Sequence, residues 1–247
     1  MRLPFARQTG IFEARRMIPG LRRQEIEKAT VRVLRPPSDA RPDVRLLEVD
    51  GKRIVLKDYA SGGTRFKRLL GVYLVAREHR ALCRVSHVEG VPRYCGRLDA
   101  YALATEYVEA ASAPEAPAER LTVEFFASLE RIIGELHKRG VVHCDLKKLD
   151  NIMVGADGKP YVIDFAAAFV TGSNPLTGLL FGQLQDDDYR GIYKLKKRYV
   201  PALLTPQESE FLEFRSAPER SFRRLRVGVR HAVQRWSAGR REDGVSV

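Results

Sequence analysis

Apolar positions in this chain follow two rhythms, one of period two and one near 3.6, and the switches between them mark out the elements. Alternation over residues 31–34, 44–49 and 53–59 predicts three strands. A Pro36-Pro37 loop separates the first two, and Asp50-Gly51 is a hairpin signal between the second and third. Residues 65–85 turn helical, with Leu70, Leu74, Leu82 and Val85 in one stripe. A carboxylate, Glu78, falls within that stripe, where burial is costly unless a cation meets it; the alternative is surface pairing with Arg77 or Arg80. Residues 101–108 read as a strand running into an Ala/Pro-rich connector over 110–118. Residues 122–139 form the strongest helical pattern, with Phe126, Leu129, Ile133 and Leu136 on one side and Gly140 as its stop. Two short strands, 152–154 and 161–163, turn back at Gly158. A loop is expected over 169–180, then a helix over 189–199, with Asp186-Asp187-Asp188 at its start and Lys194, Lys196, Lys197 and Arg198 toward its end, as the helix dipole favours. Another helix follows over 207–214.

The chemistry concentrates in residues 141–154, VVHCDLKKLDNIMV, and in the Asp-Phe of Asp164-Phe165. Apolar runs bracket a cluster of His, Asp, Lys and Asn. A loop held between short buried strands can present one carboxylate to an attacking hydroxyl and further oxygens to a metal on a nucleotide, which is the layout of phosphoryl transfer. A pair of buried strands with polar turns is the plainer alternative, but the ordered set of residues is long for a chance match.

These residues resemble the catalytic loop and Asp-Phe-Gly region of protein-kinase-like phosphotransferases. The resemblance implies an α+β, two-lobed protein-kinase-like fold with a small antiparallel-sheet N-lobe and a helical C-lobe, and dependence on ATP and Mg. It gives Asp145 the role of orienting the acceptor hydroxyl and Lys147 that of neutralising the transferring phosphate. Lys57 matches the lysine that pairs the ATP phosphates, with Glu78 as its carboxylate. In the hinge-like strand, the Glu106 carbonyl and Val108 N–H are candidates for the adenine edge and Thr105 for the back of the pocket. Asp164 matches the Mg-binding aspartate. The metal-binding Asn is expected five residues after Asp145, where Asp150 stands and Asn151 follows. Counting back from Ile152 favours Asn151, although either side chain binds Mg through oxygen.

There are departures from the kinase pattern. Cys144 stands where many protein kinases carry Arg, so the usual clamp for a phosphorylated activation loop is missing. Ala166 replaces the Gly after Asp-Phe, and no glycine occurs between Thr30 and Val49, so a glycine-rich phosphate loop is absent; the alternatives are that the 36–42 loop covers the nucleotide by other contacts or that nucleotide binds weakly. Little helical sequence follows Asp164. That shortened lobe resembles atypical kinases, the lipopolysaccharide-core sugar kinases and the RIO-type kinases. The expected organisation is a basic arm (1–30), an N-lobe (31–109), a C-lobe (110–214) and a basic amphipathic segment (215–247).

Charge adds the question of partners. The 247 residues carry 43 Lys and Arg against 31 Asp and Glu, a formal +12, with arginine crowded toward both ends. In 221–236, Phe222, Leu225, Val229, Val233 and Trp236 fall at helical spacing with Arg on the other faces. This pattern fits either a membrane surface or docking on the lobe. The expected acceptor is a hydroxyl of an anionic, lipopolysaccharide-type glycolipid sugar, with Ser/Thr of a protein as the alternative and a nucleotide-binding pseudokinase as the second. Nucleic acid is disfavoured, because charge alone points to it and no recognisable module supports it. Three scattered cysteines, Cys83, Cys95 and Cys144, indicate neither a disulfide framework nor a zinc site and fit a reducing cytoplasm. With no signal-like or membrane-spanning run, the expected location is cytoplasmic, with peripheral contact on the inner face of the membrane.

Overall fold

The computed structural model describes residue 18 and residues 21–38, 41–60, 65–172 and 175–213. Residues 23–25 form a 3-10 turn leading into α1 (Ile26–Ala29). The alternating segments then become β1 (Thr30–Arg35), β2 (Asp43–Val49) and β3 (Lys52–Asp58). Asp50 and Gly51 both take positive φ, at 51° and 71°, closing the two-residue turn that matches the twist of β2 and β3. After α2 (Arg65–Val85), β4 (Tyr94–Arg97) and β5 (Ala102–Glu106) complete an antiparallel sheet of order β1-β2-β3-β5-β4. Leu47, Ile54, Leu56, Ala102 and Ala104 form a cluster with Leu21 and Ile26, so the residues just before β1 cover the sheet face turned away from α2.

Beyond the hinge, β6 (Ala110–Ser112) leads to α3 (Val123–Lys138), whose N-cap Thr122 accepts from the Phe125 N–H. Phe125, Phe126, Leu129, Ile132, Ile133 and Leu136 are buried along α3. Then come β7 (Val141–Val142), β8 (Ile152–Gly155), β9 (Pro160–Val162) and β10 (Phe169–Val170). Strands β6, β8 and β9 form one small sheet, and β7 pairs with β10 in another. One apolar cluster runs from Val75, Leu82 and Val85 of α2 through α3 and Phe165 to Ile192 and Leu195, so a continuous core joins both halves of the cleft.

One expectation is corrected. The loop expected over 169–180 ends early, because α4 spans Pro175–Tyr199. The Asp186-Asp187-Asp188 triplet therefore lies inside a helix rather than at its start. Asp188 shares a buried stripe with Leu184, Ile192 and Leu195, and Phe181 packs on His137 of α3, so the acidic cluster sits inside the packed part of the helix rather than ahead of it. Finally, α5 (Pro206–Glu213) begins with Thr205 and Glu208 bonding each other's backbone N–H in a capping box. Lys196 ties α4 to Glu130 of α3 and Glu208 of α5. The basic segment 215–247, including Trp236, lies outside the described residues, as does most of the arm.

Candidate active site

The β3 pattern points Val55 and Lys57 to one side of the sheet, toward α2. There Lys57 Nζ lies 2.8 Å from Glu78 Oε1 and 2.8 Å from Asp164 Oδ1. Glu78 is 2% exposed, so the carboxylate in the apolar stripe of α2 is buried and met by a cation. Burial pushes the Glu78 carboxyl up, with Lys57 opposing. Burial likewise disfavours the charged forms of Lys57 and Asp164, but their mutual attraction wins, holding Lys57 above and Asp164 below their usual ranges. Arg77 does not pair with Glu78. Its guanidinium donates to the carbonyls of Ala167 and Ala168, fixing the turn after Asp164 against α2.

The loop that carries Asp145 is held from behind by α4. Asp188, fully buried, accepts the His143 and Cys144 N–H groups at 2.8 Å each and His137 Nε2 at 3.1 Å. Cys144 sits at φ 64°, a strained value for a non-glycine residue, and these bonds hold its backbone there. Gly191, one turn on, allows the approach, since a Cβ there would meet Leu146 backbone at 2.8 Å. His143 Nδ1 accepts from Asp145 N–H, and Nε2 meets the Ile163 carbonyl at 2.9 Å, so this ring bridges the loop to the strand before Asp164. Phe165 packs edge-on against it.

Asn151 Nδ2 donates to the Asp145 carbonyl at 3.1 Å, and Ile163 N–H donates to the Asn151 carbonyl at 3.0 Å. Asn151 is buried and lines the cleft with Asp164, whereas Asp150, also on the lining, is exposed. With its amide nitrogen committed, Asn151 retains Oδ1 as an acceptor. That oxygen and the Asp164 carboxylate are the hard donor set Mg takes alongside phosphate and water, so the residues fit the metal. Among the described residues no cluster of three or more His, Cys, Asp or Glu forms a self-sufficient metal cage. Asp145 Oδ2 pairs with Lys148 Nζ at 2.6 Å, and Lys147 pairs with Asp187 at 2.5 Å, so Lys147 is turned toward α4.

These groups surround a cavity of about 420 Å³ lined by Lys57, Glu78, Thr105, Glu106, Val108, Asn151 and Asp164, together with Arg32 and Arg35 of β1. Its volume suits a small-molecule ligand. In the hinge, the Glu106 N–H is bonded to the Arg93 carbonyl and the Tyr107 N–H to that of Arg53. Sequence reasoning missed Asp188, Arg77 and the β1 arginines. Asp188 carried the same signal as Glu78, an acidic residue in an apolar helical stripe, but the adjacent aspartates read as a helix start.

No curated protein sequence matches the chain. A solved structure that resembles it is the Rio2 kinase from Chaetomium thermophilum, with 16% identity, a TM-score of 0.53, and coverage of 77% of this chain and 65% of that one. The likeness supports the kinase-like fold. The chain spans 65% of that protein's length. The RIO domain pattern matches residues 48–181, from the end of β2 into α4 and more than half of the sequence, and on that match the chain belongs to the RIO domain family.

Proposed function

We propose that this protein is an ATP- and Mg-dependent phosphotransferase that moves the γ-phosphate to an alcohol. The observation carrying the reading is the Lys57 ammonium held between Glu78 and Asp164 in a cleft that Asn151 also lines. Lys57 would contact phosphate oxygens, the hinge would receive adenine, and Asn151 and Asp164 would hold Mg. The metal would supply charge neutralisation of the phosphates. Asp145, fixed by Asn151 and His143, would orient the acceptor hydroxyl and take its proton.

Membership of the RIO family supports a Ser/Thr hydroxyl of a protein as acceptor. The basic termini and short helical lobe support a sugar hydroxyl on an anionic glycolipid, with peripheral contact at the inner face of a membrane. Turnover of ATP by the purified chain with protein, sugar and glycolipid acceptors decides between them. Phosphate transfer by wild type, lost in Asp145→Asn while ATP binding persists, is the expected result. Tight Mg-ATP binding without transfer to any acceptor would favour the pseudokinase reading. Transfer undiminished in both Asp145→Asn and Asp164→Ala would overturn the kinase reading.

A further inference from the structure

The cleft has no glycine-rich loop to offer backbone N–H groups to phosphate, yet its β1 edge is not bare. Arg32 and Arg35 both line it. Strict alternation would send residues three apart to opposite faces, but a register shift between Val33 and Arg35 in the β1–β2 ladder brings both to the cleft side. Arg35 pairs with Val44, and Val44 with Lys57. Arg35 therefore stands in the same cross-strand row as Lys57, two strands away and roughly 10 Å across the roof. The row of Arg32 runs through Leu46 to Val55 and Thr105, nearer the hinge.

The two cations of the Arg35 row differ in how they are satisfied. Lys57 already meets Glu78 and Asp164, whereas Arg35 Nε is buried with no hydrogen-bond partner. A buried guanidinium N–H without an acceptor is costly, and phosphate supplies acceptor oxygens in a geometry that matches the guanidinium fork. The Arg35 charge is also felt at Tyr59, two residues beyond Lys57. Burial pushes the Tyr59 phenol up to about 12, and Lys57 and Arg35 both pull against that rise.

We propose that Arg35, with Arg32 outside it, binds the polyphosphate of the nucleotide in place of the backbone amides of a glycine-rich loop. This rests on the nucleotide reading of the cleft and adds how the phosphates are held. Side-chain charge, rather than backbone donors, then sets the preference for ATP over adenosine.

Binding of ATP, ADP and adenosine to the full chain, measured by calorimetry for wild type, Arg35→Ala, Arg35→Lys and Arg32→Ala, tests this. Loss of a charge-assisted contact predicts about a tenfold or greater fall in ATP and ADP affinity for Arg35→Ala, with adenosine unchanged. Arg35→Lys should recover part of the loss, and Arg32→Ala should lose less. If Arg35→Ala fails to fold, Arg35→Gln keeps the aliphatic stem and a polar end without the charge and is read the same way. Unchanged ATP affinity in a folded Arg35 variant overturns the proposal but leaves the nucleotide reading standing. An equal loss of adenosine and ATP overturns it too, because the arginine would then be shaping the cleft rather than binding phosphate. A wild type that binds none of the three ligands sinks the nucleotide reading itself.

Discussion

Asp150 and Asn151 compete for one metal position in sequence, and their surroundings separate them. Asn151 is buried, anchored to the Asp145 carbonyl and bonded to Ile163, next to Asp164, whereas Asp150 is exposed. Asn151→Ala is therefore expected to lower turnover at least tenfold more than Asp150→Ala, measured at saturating ATP across a Mg titration; a reversed ranking would place Asp150 at the metal. Asp164 also leaves a mark on stability. Burial raises its carboxyl pKa, but Lys57 outweighs burial and the folded value lies below the usual one. A depressed carboxylate contributes stability that is present above its unfolded pKa, about 4, and is lost as pH falls below it. Urea midpoints at pH 5 and pH 3 should thus fall more steeply for wild type than for Asp164→Asn; parallel falls would refute the linkage. The acidic residues also show what could be read from sequence alone. Glu78 stood alone on its apolar stripe, so burial could be inferred. Asp188 was hidden by Asp186 and Asp187, whose charge resembled a helix start.

At the scale of elements, α2 and α4 hold the catalytic segments in place from opposite sides. On α2, Arg77 grips the Ala167 and Ala168 carbonyls and Arg84 the Thr171 carbonyl at 3.1 Å, so the chain after Asp164 is fixed by unmodified arginines. Together with Cys144 in place of an arginine clamp, this predicts phosphoryl transfer independent of phosphorylation in residues 169–180. Phosphatase treatment before assay should leave turnover unchanged; a large loss would mean that another cation clamps a phosphate there. On α4, Asp188→Ala would strand the His143 and Cys144 N–H groups in a dry site. Leaving buried donors unpaired costs about 1–3 kcal/mol each, so a loss of about 3 kcal/mol and a Tm lower by roughly 6–12 °C are expected by thermal unfolding. A shift below 2 °C would mean water replaces the carboxylate. The strands and α3 were legible because their periodicity is undisturbed. The start of α4 was not, because Gly, Asn, Pro and Thr over 169–180 favour loop by local propensity, and the tertiary packing of this helix, seen from Phe181 and Leu184 onward, is not visible in sequence.

For the whole molecule, the match to the RIO domain ends at residue 181, while the densest arginine begins at Arg215. The kinase-like machinery and most of the charge excess thus occupy different parts of the sequence, which makes a truncation the direct test of what the basic segment does. Arg220, Arg223, Arg224, Arg226, Arg230, Arg235, Arg240 and Arg241 follow one another closely in sequence. Near an anionic bilayer each basic residue contributes about 1 kcal/mol, an attraction that salt screens within a Debye length of about 8 Å at physiological ionic strength. Truncation before Ser221 is therefore expected to leave ATP turnover on a soluble acceptor within about twofold while reducing sedimentation with phosphatidylserine vesicles. Raising salt from 0.1 to 0.5 M should weaken the full chain's binding in the same way, as expected for an electrostatic contact. If the truncated chain unfolds, the segment belongs to the core through Phe222, Leu225, Val229 and Val233, and its apolar spacing serves docking. If it binds vesicles as well as the full chain does, the attraction comes from elsewhere, with Arg15, Arg16, Arg22 and Arg23 the next residues to neutralise.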